Sequence, residues 1–330
     1  MLPTDILISI LEKLALRDAV RAGALSWRWR SLPAQLPRLV LDYQDFLAVA
    51  ENHDDDDVEH YYAALAESAD AMLTAAAALL ASRGGGGGGE EELPVSLAVR
   101  FLLRHNYMPL GRVLDDAVAG GKVRALELTV STRWQVRDGG VHDAISMVRH
   151  GRRFRNLFGR CPAVFGGLTR LELENTLLGS SDEFGDVLDA CARLEQLSLT
   201  WCAVEPKARW WRVHHSRLAD LRISRCFFHN VDLAWLPRLE SFACIGWLSP
   251  ATQRPISFGH VPRLETLALS NIHTPTVKLS EILANTAVTN LRLNFGGLNV
   301  TTPLHLARDA AYCILSSEYT SSVIQIRNSF

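Results

Sequence analysis

The sequence has no excess of basic residues and no cysteine pattern that would hold a metal. Its 34 Lys and Arg against 36 Asp and Glu give a formal charge of -2 at pH 7, whereas broad nucleic-acid binding usually requires a basic excess. The cysteines form no CxxC pair and no Cys/His cluster at zinc spacing; they stand at 161, 191, 202, 226, 244 and 313. We therefore expect reduced, mostly buried thiols, with no metal, no cofactor and no nucleic-acid partner.

Long hydrophobic runs and catalytic motifs are also missing. No apolar run approaches the roughly 18 residues of a membrane span, and the first segment carries charges throughout, unlike a signal peptide. GxSxG, HExxH, GxxxxGK[ST] and a GxGxxG placed after a predicted strand are all absent from the sequence. The expectation is a protein of the cytoplasm and/or nucleus that has no catalytic residues, is not an enzyme and has no membrane partner.

Two low-complexity stretches divide the chain. DDDD at 54–57 and GGGGGGEEE at 84–92 cannot pack, and they isolate a helical pattern over residues 58–82. This pattern is interpreted as a connecting helix packed on its neighbour. The predicted domains are a small helical unit at 1–45, a linker at 46–92, a repeat region at 93–300 and a C-terminal cap or truncated tail at 301–330.

An LxxLxL-type segment recurs along the second part of the chain. The segments begin at 123, 168, 194, 218, 239, 264 and 288, and from 168 onward successive starts lie 21 to 26 residues apart. This period and pattern are typical of leucine-rich repeats, in which each unit contributes one short strand and returns through a helix or loop. An earlier unit at 95–101, with a helical pattern after it, brings the total to about eight. The predicted fold class is α/β, a curved parallel sheet with outer helices and loops.

The repeat pattern assigns side chains to two faces. Leucines at offsets 0, 3 and 5 point into a stacked core that no single repeat can bury, and Cys202 and Cys226 at offset 8 turn the backbone inward. The alternate positions line an open concave face. Along the chain acids come before bases there, and exposed Trp and Arg are typical of protein interfaces, although such charges can also merely keep a sheet soluble. The predicted target-binding residues are Glu127, Glu172, Glu174, Trp201, Arg222, Arg225, Arg292 and Asn294.

Three further segments allow more than one interpretation. ARWWRVHHSR (208–217) is a contact loop, a weak metal site at His214 and His215, or, as favoured, a cover for the outer side of a repeat by Trp210 and Trp211. RHGRRFRNLFGR (149–160) has two interpretations: a binding site for an anionic partner, or a solvated helix or loop. GSSDEFG (179–185) predicts a helix start capped by Ser181 or Asp182.

The N-terminal segment MLPTDILISILEKLALRDAVRAGALSWRWRSL carries more apolar residues than its length can bury. Asp5 is expected to cap a first helix with a wide apolar set, a second helix spans 18–26, and WRWRSL forms a third before Pro33. Three helices in about 40 residues are near the limit below which a partner is usually needed. A second polypeptide is therefore expected to cover this surface.

This segment resembles an F-box motif, with its initial Leu-Pro, the DIL-x-x-IL core, the Asp-x-x-Arg step and the LSWRWR signature. With the linker helix and the irregular repeats, the chain is similar to the plant class of F-box/LRR proteins, which often carry a further FBD segment. The resemblance covers residues 2–42 specifically and 93–296 more loosely. No clear FBD segment follows Phe295.

The resemblance implies an adaptor of an SCF (Skp1–cullin–F-box) ubiquitin ligase. The F-box helices would bind a Skp1-like protein and through it a cullin, and the repeats would present an unknown target protein; a repeat scaffold without ligase function is the alternative. The sequence does not separate partner contacts from core within the matching set. That set is Leu2, Pro3, Ile6, Leu7, Ile10, Leu11, Leu14, Val20, Leu25, Ser26, Trp29 and Leu32.

Overall fold

The computed structural model of the chain contains two compact units. One comprises residues 1–138 with 153–169, and the other comprises 139–152 with 170–330. The residues that the structure describes are 3–14, 16–22, 25–30, 32–47, 58–82, 94–104, 106–132, 144–205, 210–246, 256–270, 288–294, 312–318 and 321–327.

The first unit begins with three short helices, as predicted. They are α1 (Thr4–Leu11), α2 (Leu16–Ala22) and α3 (Trp27–Arg30). Pro3 occupies the N-cap of α1 without a side-chain hydrogen bond, and Asp5 lies inside the first turn. The predicted Asp5 cap is therefore wrong, although an acidic side chain in the first turn still interacts favourably with the helix dipole.

A strand that the sequence analysis did not predict follows these helices. After a 3-10 turn at Pro33–Gln35, β1 (Arg38–Asp42) pairs in parallel with β2 (Val95–Leu102), which pairs in parallel with β3 (Val123–Ser131). The segment RLVLD alternates exposed and buried residues, and Leu39 and Leu41 are each 1% exposed. The end of the N-terminal segment thus forms part of the same sheet as the first repeat strands.

The predicted connecting helix is present as α4 (Val58–Ser82), and it packs on its neighbours. Its buried residues are Leu65, Ser68, Met72, Ala76 and Leu80. The Ser68 hydroxyl donates to the carbonyl of Tyr43 at 2.5 Å, and the Lys122 ammonium donates to the carbonyl of Leu80 at 2.8 Å. These contacts tie α4 to the turn after β1 and to the start of β3.

By length and composition alone, the segment Ala63–Ala81 of α4 could cross a membrane, with a mean hydropathy of 1.4. The expectation that no stretch reaches this length therefore fails for α4, because its many alanines count as apolar. One face of the helix is nevertheless buried by protein, with Met72 and Ala76 at most 1% exposed. The core helix of a folded domain has the same properties.

Helices complete the rest of the first unit. α5 (Tyr107–Ala119) follows β2 as predicted, and it packs against α7 (Pro162–Gly167) and the end of α6 (Ala144–Arg160). The ring centroids of Phe154 and Phe165 lie 5.8 Å apart in an edge-to-face arrangement. The backbone N–H of Val164 donates to the Asp115 carboxylate at 3.0 Å, which satisfies a donor at the start of α7.

The later predicted repeat strands, from the segment that begins at 168 onward, lie in the second unit, apart from the first two residues of the first of these strands. They are β4 (Leu168–Glu174), β5 (Gln196–Thr200), β7 (Asp220–Ser224), β9 (Ser241–Ile245), β11 (Thr266–Ser270) and β12 (Asn290–Asn294), each parallel to the next. β12 then pairs in antiparallel fashion with β14 (Ser321–Arg327), which pairs with β13 (Tyr312–Glu318). The predicted α/β class with a parallel repeat sheet is therefore correct.

The return segments of three later repeats are strands rather than helices or loops. β6 (Trp210–His214), β8 (Asn230–Trp235) and β10 (Ile256–His260) form a second parallel sheet in the order β10-β8-β6. This corrects the expectation of outer helices and loops for those repeats. The return segment after β4 does contain a helix, α8 (Ser181–Ala190).

Within these return segments, the sequence predicted the cap of α8 and the position of Trp211. Ser180 caps α8, accepting from the N–H of Glu183 at 3.2 Å, while the Glu183 carboxylate accepts from the N–H of Ser180 at 2.9 Å. The predicted caps, Ser181 and Asp182, instead begin the helix. Trp211 is fully buried between the rings of Phe184 and Phe228, which confirms for this residue that it covers the repeat rather than forming a contact loop.

Candidate functional sites

The N-terminal helices divide their large apolar side chains between a core and an exposed surface. Ile6, Ile10 and Leu14 are 42%, 40% and 43% exposed. Ile6 and Ile10 lie four residues apart on one face of α1, and Leu14 lies three residues beyond the end of that helix. Leu25 and Trp27 are 75% and 85% exposed. We call these five residues the N-terminal apolar surface.

The other predicted partner-binding residues fall into different environments. Leu7, Leu11 and Leu32 are at most 3% exposed, so they form the core that supports the helices. Pro3 and Ser26 are exposed and Trp29 is half-buried. Leu2 and the side chain of Val20 lie outside the described residues. Trp27 was not among the predicted residues, because the motif comparison selected Trp29 from the same segment.

The second unit presents an outward sheet face made of in-register rows. One row runs across the six strands through Glu172, Ser198, Arg222, Ala243, Ala268 and Arg292. A second row contains Glu174, Thr200, Ser224, Ile245, Ser270 and Asn294; the side chain of Asn294 lies outside the described residues. Leu171, Leu197 and their equivalents alternate with these positions and are buried, as the repeat pattern predicts. Partner binding at the outward positions stays a prediction.

Glu127 and Glu172, two of the three predicted acidic side chains of the outward faces, have basic neighbours. In the first unit, the Arg38 guanidinium on β1 reaches over β2 to the Glu127 carboxylate on β3, with an N–O distance of 3.2 Å. In the second unit, Arg170 forms an ion pair with Glu172 on the same strand. Each of these two carboxylates thus has a basic partner within the fold, and target binding by the acidic section stays a prediction.

Trp201 and Arg225 occupy equivalent positions immediately after β5 and β7. Both have left-handed backbones, with φ of 56° and 51°, as do Asn175 and Gly246 after the neighbouring strands. The N–H of Trp201 donates to the carbonyl of Ser224 at 2.9 Å, and that of Arg225 donates to the carbonyl of Ile245 at 2.7 Å. The guanidinium of Arg225 lies 5.3 Å from the centroid of the Trp201 ring, within cation–π range.

The cysteines that follow these two residues are structural. The Cys202 thiol approaches the carbonyl of Leu173 at 3.5 Å, and the Cys226 thiol approaches the carbonyl of Leu199 at 3.4 Å. The N–H of Cys202 donates to the sulfur of Cys226 at 3.3 Å. Each thiol therefore links its own repeat to the preceding one, and both thiols are buried as predicted.

The two adjacent histidines are engaged inside the fold. The Nδ1 atom of His215 accepts the N–H groups of Arg217 and Leu218 at 3.2 and 3.0 Å, so Nε2 carries the proton and donates to the carbonyl of Cys191 at 3.0 Å. Burial lowers the pKa of His215, which favours this neutral form. The ring of His214 stacks on Trp235 with centroids 4.7 Å apart. His215 thus has no nitrogen available for a metal, and no metal-binding group of three His, Cys, Asp or Glu occurs in the described part of the chain.

The basic segment at 149–160 is helical and lies within α6. Phe154 and Leu157 are at most 2% exposed, and the Arg153 guanidinium donates to the carbonyl of Leu103. The helix alternative is therefore correct, with one face packed. Binding of an anionic partner to its exposed arginines stays a prediction.

Parallel strands with buried leucine columns repeat about every 24 residues behind a three-helix segment. This arrangement defines a leucine-rich-repeat protein with a small helical segment at its N-terminus. A family model described as "FBD-associated F-box protein At5g56370, LRR repeats" matches residues 118–294, and an F-box domain model matches residues 1–40. Because the first match covers more than half of the 330 residues, the chain belongs to the FBD-associated F-box proteins with leucine-rich repeats. A search of curated proteins and a search of solved structures returned no match.

Proposed function

We propose that this F-box protein is a substrate-recognition adaptor of an SCF-type ubiquitin ligase and performs no chemistry itself. In this proposal the F-box docks a Skp1-like protein and through it a cullin, while the outward face of the repeat sheet holds a target protein. The chain would act in the cytoplasm and/or nucleus, with no cofactor and with neither nucleic acid nor a membrane as its partner.

The N-terminal apolar surface is the observation that carries the proposal. Full burial of an Ile or Leu side chain contributes about 1.5–3 kcal/mol, and Ile6, Ile10 and Leu14, which are 42%, 40% and 43% exposed, still offer part of that gain to a partner. Leu7 and Leu11 fill the core on the other side of α1, so they hold the exposed side chains in place rather than contacting the partner. Apolar anchors on a helix inserted into a partner's groove are a common mode of protein recognition.

Strand β1 supports a tethering role. An adaptor accelerates transfer by raising the local concentration of target lysines near the charged enzyme, and that effect is lost if the geometry forbids both engagements. Because β1 pairs with β2 along five residues, the segment after the F-box helices is held by the first repeat strands. The Arg100–Asp42 ion pair, with an N–O distance of 3.1 Å, adds a side-chain link between the same two strands.

Co-purification with a Skp1-like protein tests the proposal. We expect the full chain to retain this partner and the Ile6→Asp plus Ile10→Asp variant to lose it, because two carboxylates would be desolvated at the interface. Ile145→Asp is the matched control, since Ile145 is 69% exposed on α6, outside the F-box. Circular dichroism spectra and melting curves show whether each variant is folded.

The proposal fails if the folded wild-type chain does not retain the partner, or if the double variant binds as well as Ile145→Asp. Leu11 is unsuitable for this test because it is 1% exposed, and a charge there would unfold the domain rather than report on the interface.

A further inference from the structure

On the outward face of the second unit, strands β9 and β11 carry small side chains between two exposed arginines, Arg222 and Arg292, and we call this strip the channel. Five of its floor positions carry small side chains, Ser241, Ala243, Thr266, Ala268 and Ser270. Ala243 and Ala268 lie in the same register row as Arg222 on β7 and Arg292 on β12, and both arginines are exposed. The arginines therefore form the two walls of the channel, and the small residues form its floor.

The width of the channel corresponds to one α-helix. β7 and β12 are separated by three strand spacings in the order β7-β9-β11-β12, which is about 14 Å between the arginine backbones. A helix with its side chains is about 10–12 Å across. Floor residues as small as alanine allow a helix to approach the sheet closely, and the five-residue strands, roughly 17 Å long, match about eleven helical residues.

The charges of the channel define the chemistry of its occupant. Arg222 is 65% exposed and contacts Asp220 at 3.3 Å, a surface ion pair that contributes little and can be exchanged for another carboxylate. Arg292 is exposed on the opposite wall. A bound helix would thus carry acidic side chains on both flanks, where bidentate arginine–carboxylate pairs can form.

The two ends of the channel differ. Glu240 and Glu265 are exposed and lie one residue before β9 and β11, whereas Ile245 closes β9 and is 43% exposed. The amino end of a helix carries a partial positive charge and is favoured next to acids. A bound helix would therefore place its amino end at Glu240 and Glu265 and an apolar side chain against Ile245.

We infer that the target of this F-box protein is recognised through an amphipathic helix that carries small or apolar residues on one face and acids on both flanks. The inference rests on the proposed function, since it specifies what the outward face binds. It assigns the target's chemistry from Arg222, Arg292 and the small residues between them.

The probe for this inference is a display library of randomised 16-residue peptides, selected on the purified full chain. We expect the enriched peptides to be helical when bound and to carry acids on both sides of an apolar stripe. The Arg222→Glu plus Arg292→Glu variant should weaken their binding at least tenfold, and Ala268→Trp should do the same by filling the floor. Arg238→Glu plus Arg263→Glu is the matched control, because both arginines are exposed in turns outside the channel, and it should change affinity less than twofold.

Enriched peptides that lack acids, equal loss of affinity in the control, or a selection without any binder would each overturn the inference. Retention of the Skp1-like protein is measured on the same variants. If the channel variants retain the Skp1-like protein but bind the selected peptides as tightly as the wild-type chain does, only the channel inference fails. If the wild-type chain does not bind the Skp1-like protein, the ligase proposal fails independently.

Discussion

Gly151 and Gly159 lie on the same helix, α6, but Gly151 is closely packed and Gly159 is not. A Cβ atom at Gly151 would overlap the carbonyl group of Leu177, whereas a Cβ at Gly159 would meet nothing within 4 Å. The N–H of Leu177 donates to the carbonyl of Met147 at 3.1 Å, so the backbone there cannot move away without losing a hydrogen bond. Gly151 is thus required where the helix touches the chain after β4.

We therefore expect Gly151→Ala to lower the free energy of unfolding by about 1–3 kcal/mol, the usual cost of overpacking. Gly159→Ala is the control and should raise it by about 0.5–1 kcal/mol, because alanine is the better helix former. Urea denaturation of both variants measures the difference. A stabilising Gly151→Ala would contradict the close approach of α6 and Leu177.

The buried thiols give the protein a defined response to alkaline pH. Burial raises the pKa of Cys191 and that of Cys244 to about 12, from an ordinary value of 9.0. Above pH 9 the unfolded chain loses these protons while the folded chain keeps them. Stability from these groups is therefore fully present below pH 9 and is lost as the pH rises towards 12, by about 1.4 kcal/mol per pH unit for each thiol.

Urea denaturation at pH 8, 9.5 and 10.5 checks this slope. The Cys191→Ala plus Cys244→Ala variant is expected to be less stable at pH 8 but to lose less stability between pH 8 and pH 10.5 than the wild-type chain. Parallel curves for the two proteins would show that these thiols do not titrate differently in the folded and unfolded states.

For single residues, the sequence predicts correctly which side chains point inward and which point outward wherever the periodicity of a strand assigns the face. The inward leucines and the outward row through Arg222 follow from the alternation of a strand, and the offset-8 cysteines follow from the leucine-rich-repeat pattern. It did not separate Leu7 from Ile6 on α1, because both are apolar and the helix carries more apolar residues than one face can hold. Only the packing of α1 on the rest of the first unit decides which of them is buried.

The large apolar side chain buried at the centre of α4 is that of Met72. Met72 is 1% exposed and lies one turn from Ala76 and one turn from the Ser68–Tyr43 hydrogen bond. Met72→Ala should lower the free energy of unfolding by about 2–4 kcal/mol through lost burial and a cavity. The control is Glu67→Ala on the exposed side of α4, expected within about 0.5 kcal/mol of wild type.

Chemical denaturation followed by helix content checks the Met72 prediction, and limited proteolysis after α4 provides a second readout. If Met72→Ala is as stable and as protease-resistant as Glu67→Ala, α4 is a loosely attached linker rather than part of the first unit's core.

At the element scale the sequence predicted the repeat strands but not the strands between them. β1, β6, β8 and β10 are each five or six residues long, and so short a pattern does not identify a partner. Their parallel pairing joins residues far apart in the chain, which no local signal specifies. The sequence therefore predicted that WWRVH covers the repeat with aromatic side chains, which is correct for Trp211. It did not predict that this segment is the first strand of a second sheet.

At the scale of the whole molecule, the two proposed functions belong to different compact units. Ile6, Ile10 and β1 lie in the unit comprising 1–138 and 153–169, whereas Arg222, Arg292 and the channel lie in the other. Each unit has its own buried core, so a substitution that removes partner binding in one is expected to leave the other folded. This separation allows the docking and target-binding proposals to be tested one at a time.

The left-handed residues after the repeat strands have a practical consequence for protein engineering. Asn175, Trp201, Arg225 and Gly246 leave their strands with the same backbone turn, and each of the four turns is joined to the following repeat by a main-chain hydrogen bond. Since that bond uses no side chain, the junction tolerates asparagine, tryptophan, arginine or glycine. A repeat could thus be exchanged for one from a related protein by joining the chains at two such turns. The exchange would transfer the target specificity of the new repeat and keep the backbone turn after each strand.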